Sequence, residues 1–258
     1  MTKLLILSIS FWFINLLNPT YQTSNKTILA IVAHPDDEMA IAEVLVKYGR
    51  LGNKVFVMIA TDGKYGTRVT SIPEGDSLAV VRKRESTCAC EKMGIEPPIF
   101  LSIDRLDTKI GVRNYFNAHK LLRDSLIQKI STINPDIIIT FGPDGDTHHA
   151  EHIVVGGAVT EVILQKGWVE KYPLYYIAYD RTTAGLEAVG YMDQNYINVE
   201  ITYSDQDKLI GLAANKCYVS QITEAEMQED YDRKLKDTVN KSFFRRFVIK
   251  TGKQSSFD

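Results

Sequence analysis

Cysteine is scarce in this 258-residue chain. Cys88, Cys90 and Cys217 are odd in number, and they match neither a zinc-ligand spacing nor a disulfide framework. Cys88 and Cys90 are therefore expected as ordinary helix or core positions. Charge of either sign is not in excess: 30 Lys and Arg against 32 Asp and Glu leave a net charge of −2. An extended polyanion such as nucleic acid, which would favour a basic surface, is not an expected partner. No apolar run reaches the length of a comfortable bilayer span, so a stable transmembrane anchor is not expected. The uncharged stretch LLILSISFWFINLL (4–17), behind Lys3, instead has the length of a signal-peptide h-region. Residues 1–25 are accordingly read as a signal peptide and leader, and the protein as exported, periplasmic or secreted. The alternative is a buried N-terminal element of a cytoplasmic protein. No lipid-anchor cysteine follows the stretch.

What is present is the composition of a soluble globular domain, 45% hydrophobic and 24% charged. Neither an internal repeat nor a linker divides it, so residues 26–250 read as one domain, with 251–258 as a disordered tail. Short β-branched runs alternate with longer helical patterns: strands over 26–33, 54–61, 98–103 and 135–142, and helices over 39–49, 77–94, about 115–133 and about 149–166. Two further strand candidates lie in LYYIAYD and NYINVEIT, followed by polar helical segments. Continuous apolar strands alternating with helices predict an α/β fold, a three-layer, mostly parallel twisted sheet covered by helices on both faces (Rossmann-like). In such sheets ligands bind beyond the carboxyl ends of the strands.

Two clusters sit at that edge. After the first strand comes His34-Pro35-Asp36-Asp37-Glu38. A helix N-terminus accounts for one or two of its acids but not for the histidine. A dinucleotide-binding turn is disfavoured, because no G-x-G-x-x-G follows the strand and clustered carboxylates would repel a pyrophosphate. A metal site is the third reading, since an imidazole and a carboxylate three residues on can converge on one cation. After the fourth strand, His148, His149, Glu151 and His152 open a helix. Spacing places His152 on one helix face with either His149 or His148. His34, Asp37 and His152 would make a two-histidine, one-carboxylate set suited to catalytic zinc.

AHPDDE after the first strand and HAEH after the fourth resemble the motifs of the zinc-dependent N-acetylglucosaminyl deacetylases related to LmbE and PIG-L. TDGKYG, the segment carrying Arg82, Glu85, Ala89 and Gly94, and NPDIIITFGPDG are similar too, over roughly residues 27–160. The resemblance implies Zn2+ held by His34, Asp37 and His152. It implies Asp36 as the general base acting on a zinc-activated water, and His149 as the group stabilising the oxyanion or protonating the leaving amine. Glu151 would orient His149, which settles the pairing on His149 and leaves His148 at the surface or substrate edge. Two positions depart from the family: Glu151 stands for the usual aspartate, and His148 for a frequent glycine.

By resemblance, Arg82 would help position the substrate; otherwise it is a solvated arginine, with Glu85 as a structural partner. Asp104, after the third strand, is a candidate for a sugar hydroxyl or a turn cap. The expected activity is removal of an N-acetyl group from an N-acetylglucosamine-containing small molecule or glycoconjugate. Alternatives are an amidase acting on another sugar-linked amide, or a non-catalytic carbohydrate-binding protein with a structural metal.

Overall fold

The computed structural model describes residues 25–182 and 190–257; the apolar stretch read as a signal peptide lies outside the described residues. Seven strands form one sheet: β1 (Thr27–Val32), β2 (Lys54–Thr61), β3 (Ile99–Ile103), β4 (Ile137–Thr140), β5 (Leu174–Ala178), β6 (Val199–Thr202) and β7 (Lys241–Arg246). Their spatial order is β3-β2-β1-β4-β5-β7-β6. The first five run parallel, and β7 is antiparallel to both neighbours. The main helices are α1 (Ala42–Arg50), α2 (Asp76–Met93), α3 (Val112–Ile133), α4 (Ala150–Gln165), α5 (Asp205–Asn215) and α6 (Glu224–Lys236). α3 packs with α4, while α1 and α2 both pack on α5. This is the expected mostly parallel α/β sheet flanked by helices. Among the described residues, no helix is long and apolar enough to cross a membrane.

The central strands explain why the fold forms. In β1 every residue after Thr27 is buried, because helices exclude water from both faces of the sheet and no polar alternation is needed. β1 lies between β2 and β4, so the chain leaves the sheet in opposite lateral directions after β1 and β4. The carboxyl ends of these two strands therefore flank a crevice, the topological switch point. Thr61 and Thr140 donate their hydroxyls to the carbonyls of Ala33 and Ile31, at 2.9 and 2.8 Å. These bonds satisfy buried polar groups at the same end of the sheet.

Two expectations fail. β7 replaces part of the polar helical segments read near the C-terminus. Its sequence, KSFFRR, carries three cations, yet Phe244 is buried against the core, while Lys241 pairs with Glu200 at 3.0 Å and Arg245 reaches the Tyr196 carbonyl at 2.8 Å. The long charged side chains escape to the surface while the strand backbone completes the ladder. Cysteine is the second correction: Cys88 on α2 forms a disulfide with Cys217, 129 residues away, with a Cα–Cα separation of 6.0 Å. Cys90 is free and buried, as a core position should be.

Candidate active site

The polypeptide leaves β1 through a turn that its own carboxylate closes. Asp37 Oδ2 accepts from the backbone N–H groups of Ala33 (3.0 Å) and His34 (2.7 Å). Its other oxygen, Oδ1, lies 3.1 Å from His152 Nε2. Asp36 heads the 3-10 turn Asp37–Ile41 but makes no side-chain cap bond, so helix capping does not explain it. Instead Asp36 holds φ at 100°, a left-handed conformation that costs a non-glycine residue on the order of 1–3 kcal/mol and clusters at functional sites.

After β4, a short kinked turn (Gly145–His148) delivers the second cluster. Its backbone is also left-handed, at Asp146 (φ 61°) and His148 (φ 59°). His149 is the N-cap of α4, with Nδ1 accepting from the Glu151 N–H at 3.2 Å. That bond leaves the proton of the neutral ring on Nε2. His149 is thus both a cap and a site residue. Burial and the charges of His34 and His152 push its pKa down, favouring the neutral ring. His148 is exposed.

The buried ring of His152 stacks on Phe141, 4.2 Å between centroids and 5° from parallel. His152 Nδ1 donates to the Gly145 carbonyl at 3.0 Å, so Nε2 carries the free lone pair. His34 is fixed in the same way from the other side: Nε2 donates to Glu151 Oε2 at 2.8 Å, freeing Nδ1. The two lone-pair nitrogens face each other at 3.3 Å, and Asp37 Oδ2 stands 3.4 Å from His34 Nδ1. A tetrahedral ion with ligands at about 2.0–2.1 Å spaces them roughly 3.3–3.4 Å apart. Two imidazole nitrogens and a carboxylate at that spacing can share a cation, a proton on His34 or a metal ion between all three, and the donor set fits a zinc-type metal. The third imidazole is close as well, with ligand atoms of His34, His149 and His152 within 4.8 Å of one another, but the tighter triangle includes Asp37.

The electrostatics agree. Burial pulls the His34 pKa down, yet Asp37 and Glu151 together outweigh it and push it up to about 10. Positive charge is favoured there even as a proton. Burial raises the Asp36 carboxyl well above the usual range, and the Asp37 charge adds to this. Burial works against the Asp37 anion, but His34 and His152 hold its pKa far down.

Glu151 corrects the expected pairing. Its carboxylate bridges His34 and the Leu106 N–H (2.6 Å) and does not orient His149, which meets only its backbone. Arg82 is buried and donates to the carbonyls of Gly66 and Ser220, so it is not a solvated arginine. Glu85 accepts from Ser220 N and Oγ, both at 2.7 Å, in place of the expected pairing with Arg82. Asp104 does not line the cavity; it accepts from Tyr65 Oη and the Arg105 N–H, both at 2.9 Å, the turn-cap alternative.

The site opens into a cavity of about 520 Å³ lined by His34, Asp36, Asp37, Arg82, His149 and Glu151. Gln221, Tyr65, Arg68, Arg105 and Lys109 also line it, and none was singled out from sequence. Gln221 comes from a turn whose local spacing carries no motif. Its Nε2 and the Arg82 Nε are buried without a partner among the described residues.

A family profile described as PIG-L: GlcNAc-PI de-N-acetylase matches residues 29–163. The chain is 23% identical over 214 residues to a 1D-myo-inositol 2-acetamido-2-deoxy-alpha-D-glucopyranoside deacetylase of Mycolicibacterium vanbaalenii, covering 73% of this chain and 75% of the relative. The solved N,N'-diacetylchitobiose deacetylase of Pyrococcus horikoshii superposes with a TM-score of 0.61 at 19% identity, over 86% of this chain and 84% of that one. The 4-carboxy-2-hydroxymuconate hydratase GalB of Pseudomonas putida superposes equally well, with a TM-score of 0.63 at 14% identity over 90% and 100% of the two chains. The shared fold therefore does not by itself select a reaction.

Proposed function

Since the chain belongs to the GlcNAc-PI de-N-acetylase (PIG-L) family, we propose that it is a zinc-dependent hydrolase that removes the acetyl group from an N-acetylglucosamine-containing small molecule or glycoconjugate. The observation that carries this reading is the triangle of His34 Nδ1, Asp37 and His152 Nε2, spaced 3.1–3.4 Å apart beside Asp36 and His149. Those three residues would hold the metal. When bound, zinc supplies a Lewis acid and brings the pKa of water toward about 7.

The remaining work belongs to side chains. Asp36, on the cavity wall, takes the proton of the attacking water as general base. His149 lines the same cavity, and its Nε2–H hydrogen-bonds to the oxyanion as the acyl carbon becomes tetrahedral. The proton taken up by Asp36 then passes to the departing nitrogen, so the neutral His149 ring keeps its own. The C–N bond breaks, acetate keeps the water oxygen, and the glucosamine leaves as an amine. Arg82 Nε and Gln221 Nε2, both without partners among the described residues, are assigned to the sugar. Buried donors of that kind cost free energy until a substrate oxygen accepts from them. A purely structural metal would require neither a base nor a proton donor, so Asp36 and His149 argue against the non-catalytic reading.

Export is the location we infer. The uncharged stretch behind Lys3 fits a signal peptide, and the Cys88–Cys217 disulfide is of the kind that persists in oxidising compartments. The substrate would then be a glycan or glycoconjugate met outside the cytoplasm.

The test is metal analysis combined with amine release from a panel of N-acetylglucosamine derivatives of varied aglycone, N,N'-diacetylchitobiose included. Asp36→Asn is expected to retain zinc and to lose about 10²-fold or more of kcat. A variant turning over at the wild-type rate would remove Asp36 from the base role.

A further inference from the structure

Glu38 is the one acid of the first motif with no part in the chemistry above. It is wholly buried, at 0% exposure, and does not line the cavity. A carboxyl group in such a place must be hydrogen-bonded or it is strongly destabilising. Glu38 Oε2 accepts from the Asp36 N–H at 3.2 Å, and Oε1 accepts from the hydroxyl of Tyr218, 180 residues further on. Tyr218 is itself fully buried.

Tyr218 sits in a turn over 217–221 that is fastened to α2 at several points. Cys217 is joined to Cys88. Ser220 donates twice to Glu85, and its carbonyl accepts from Arg82 at 3.3 Å. The Gln221 carbonyl accepts from Arg68 at 3.1 Å. The turn is rigidly placed, so the Tyr218 hydroxyl is a fixed point from which Glu38 is held.

Asp36 is the residue that needs holding. Its backbone occupies the left-handed region at φ 100°, and among the described residues no donor engages its carboxylate. The direction of that carboxylate is thus set by its backbone, and the Glu38 bond to its N–H is the side-chain contact fixing that backbone. We propose that Tyr218 and Glu38 form a positioning pair that keeps Asp36 in its left-handed conformation with its carboxylate on the cavity. The 217–221 turn, well outside the segment matched by the family profile, is then part of the catalytic apparatus. This rests on the reading of Asp36 as base. Neither partner touches the reacting atoms.

The experiment compares Tyr218→Phe, Glu38→Gln, Glu38→Ala and Asp36→Asn in the zinc-loaded full chain, using the panel member the wild type turns over fastest. Tyr172→Phe, which removes a buried hydroxyl bonded to Asn134 at 3.1 Å far from the cavity, is the control. Tyr218→Phe is expected to lower kcat about tenfold or more, since small misplacements of a catalytic group are costly. KM should stay within about twofold of wild type, with zinc content and the folded circular-dichroism spectrum retained. Glu38→Gln keeps one acceptor oxygen and should retain more activity than Glu38→Ala. If Tyr218→Phe does not fold, the same kcat-against-KM comparison is read on Glu38→Gln. A Tyr218→Phe variant indistinguishable from Tyr172→Phe, while Asp36→Asn is inert, overturns the positioning role alone. Wild-type turnover by Asp36→Asn, or a wild type inert on the whole panel, overturns the underlying functional reading and this pair with it.

Discussion

Glu151 reaches past the histidine beside it in sequence to the one delivered by β1. The carboxylate spans His34 Nε2 and the Leu106 N–H, so its extra methylene relative to the family's aspartate is used to cross the crevice. Fixing the second nitrogen of a ligating imidazole sets both its tautomer and its aim, and loss of such a partner typically lowers metal affinity 10–100-fold. Glu151→Ala should therefore weaken zinc binding by about that factor, measured by competition with a chromogenic chelator. It should leave the His149 ring in place, because that ring is held by the residue 151 backbone N–H. Were Glu151 to orient His149 instead, affinity would hold and only kcat would fall. That the two clusters would meet at one edge of the sheet was legible from sequence, because histidines and carboxylates placed just after strands show in residue type and position. Their partners were not: Glu151–His34 and Glu38–Tyr218 join residues 117 and 180 positions apart, and no local spacing encodes such pairs.

The elements carrying these residues were legible in proportion to how completely they are buried. β1, β2 and β4 read directly, because a strand covered on both faces has only apolar residues to offer. β7 did not, because its long charged side chains mask a strand whose backbone is nonetheless fully paired. α4 adds a finer constraint. A Cβ at Gly156 would lie 2.5 Å from the Phe141 carbonyl oxygen, while one at Gly157 would meet nothing within 4 Å. Phe141 is the ring stacked on His152, so the glycine lets the helix approach the strand end closely enough to seat the His152 ring on it. Gly156→Ala is expected to destabilise by about 1–3 kcal/mol through overpacking and to weaken metal binding with it. Gly157→Ala, one position on and exposed, should stabilise by about 0.5–1 kcal/mol through helix propensity alone. Urea titrations of the two variants check this, and equal effects would mean that the close approach is not what position 156 requires.

At the scale of the whole molecule, the C-terminal third wraps back onto the first. α5 packs on α1 and α2, Arg50 reaches Asp207 at 2.6 Å, and Lys234 reaches the buried Glu43 at 2.8 Å. The Cys88–Cys217 disulfide ties this return across 129 residues. A cross-link closing so long a loop removes much of the freedom of the unfolded chain, which for native disulfides is typically worth about 2–4 kcal/mol. Reduction should therefore lower the free energy of unfolding by about that much, read as a shift in urea midpoint with and without dithiothreitol. Cys88→Ser combined with Cys217→Ser should reproduce the shift without reductant. The same change should reach the site, because Tyr218 follows Cys217 directly. If the turn is kept in place by its bonds to Glu85 and Arg82 alone, kcat survives reduction while stability falls. If the disulfide is what keeps Tyr218 on Glu38, kcat and stability fall together, with zinc content unchanged. The second outcome is expected, since the bonds made by Ser220 fix the far end of the turn and leave Tyr218 free to withdraw. A reduced protein equal to the oxidised one in both stability and kcat would deny the staple any role, and would remove one of the two supports for placing this chain in an oxidising compartment.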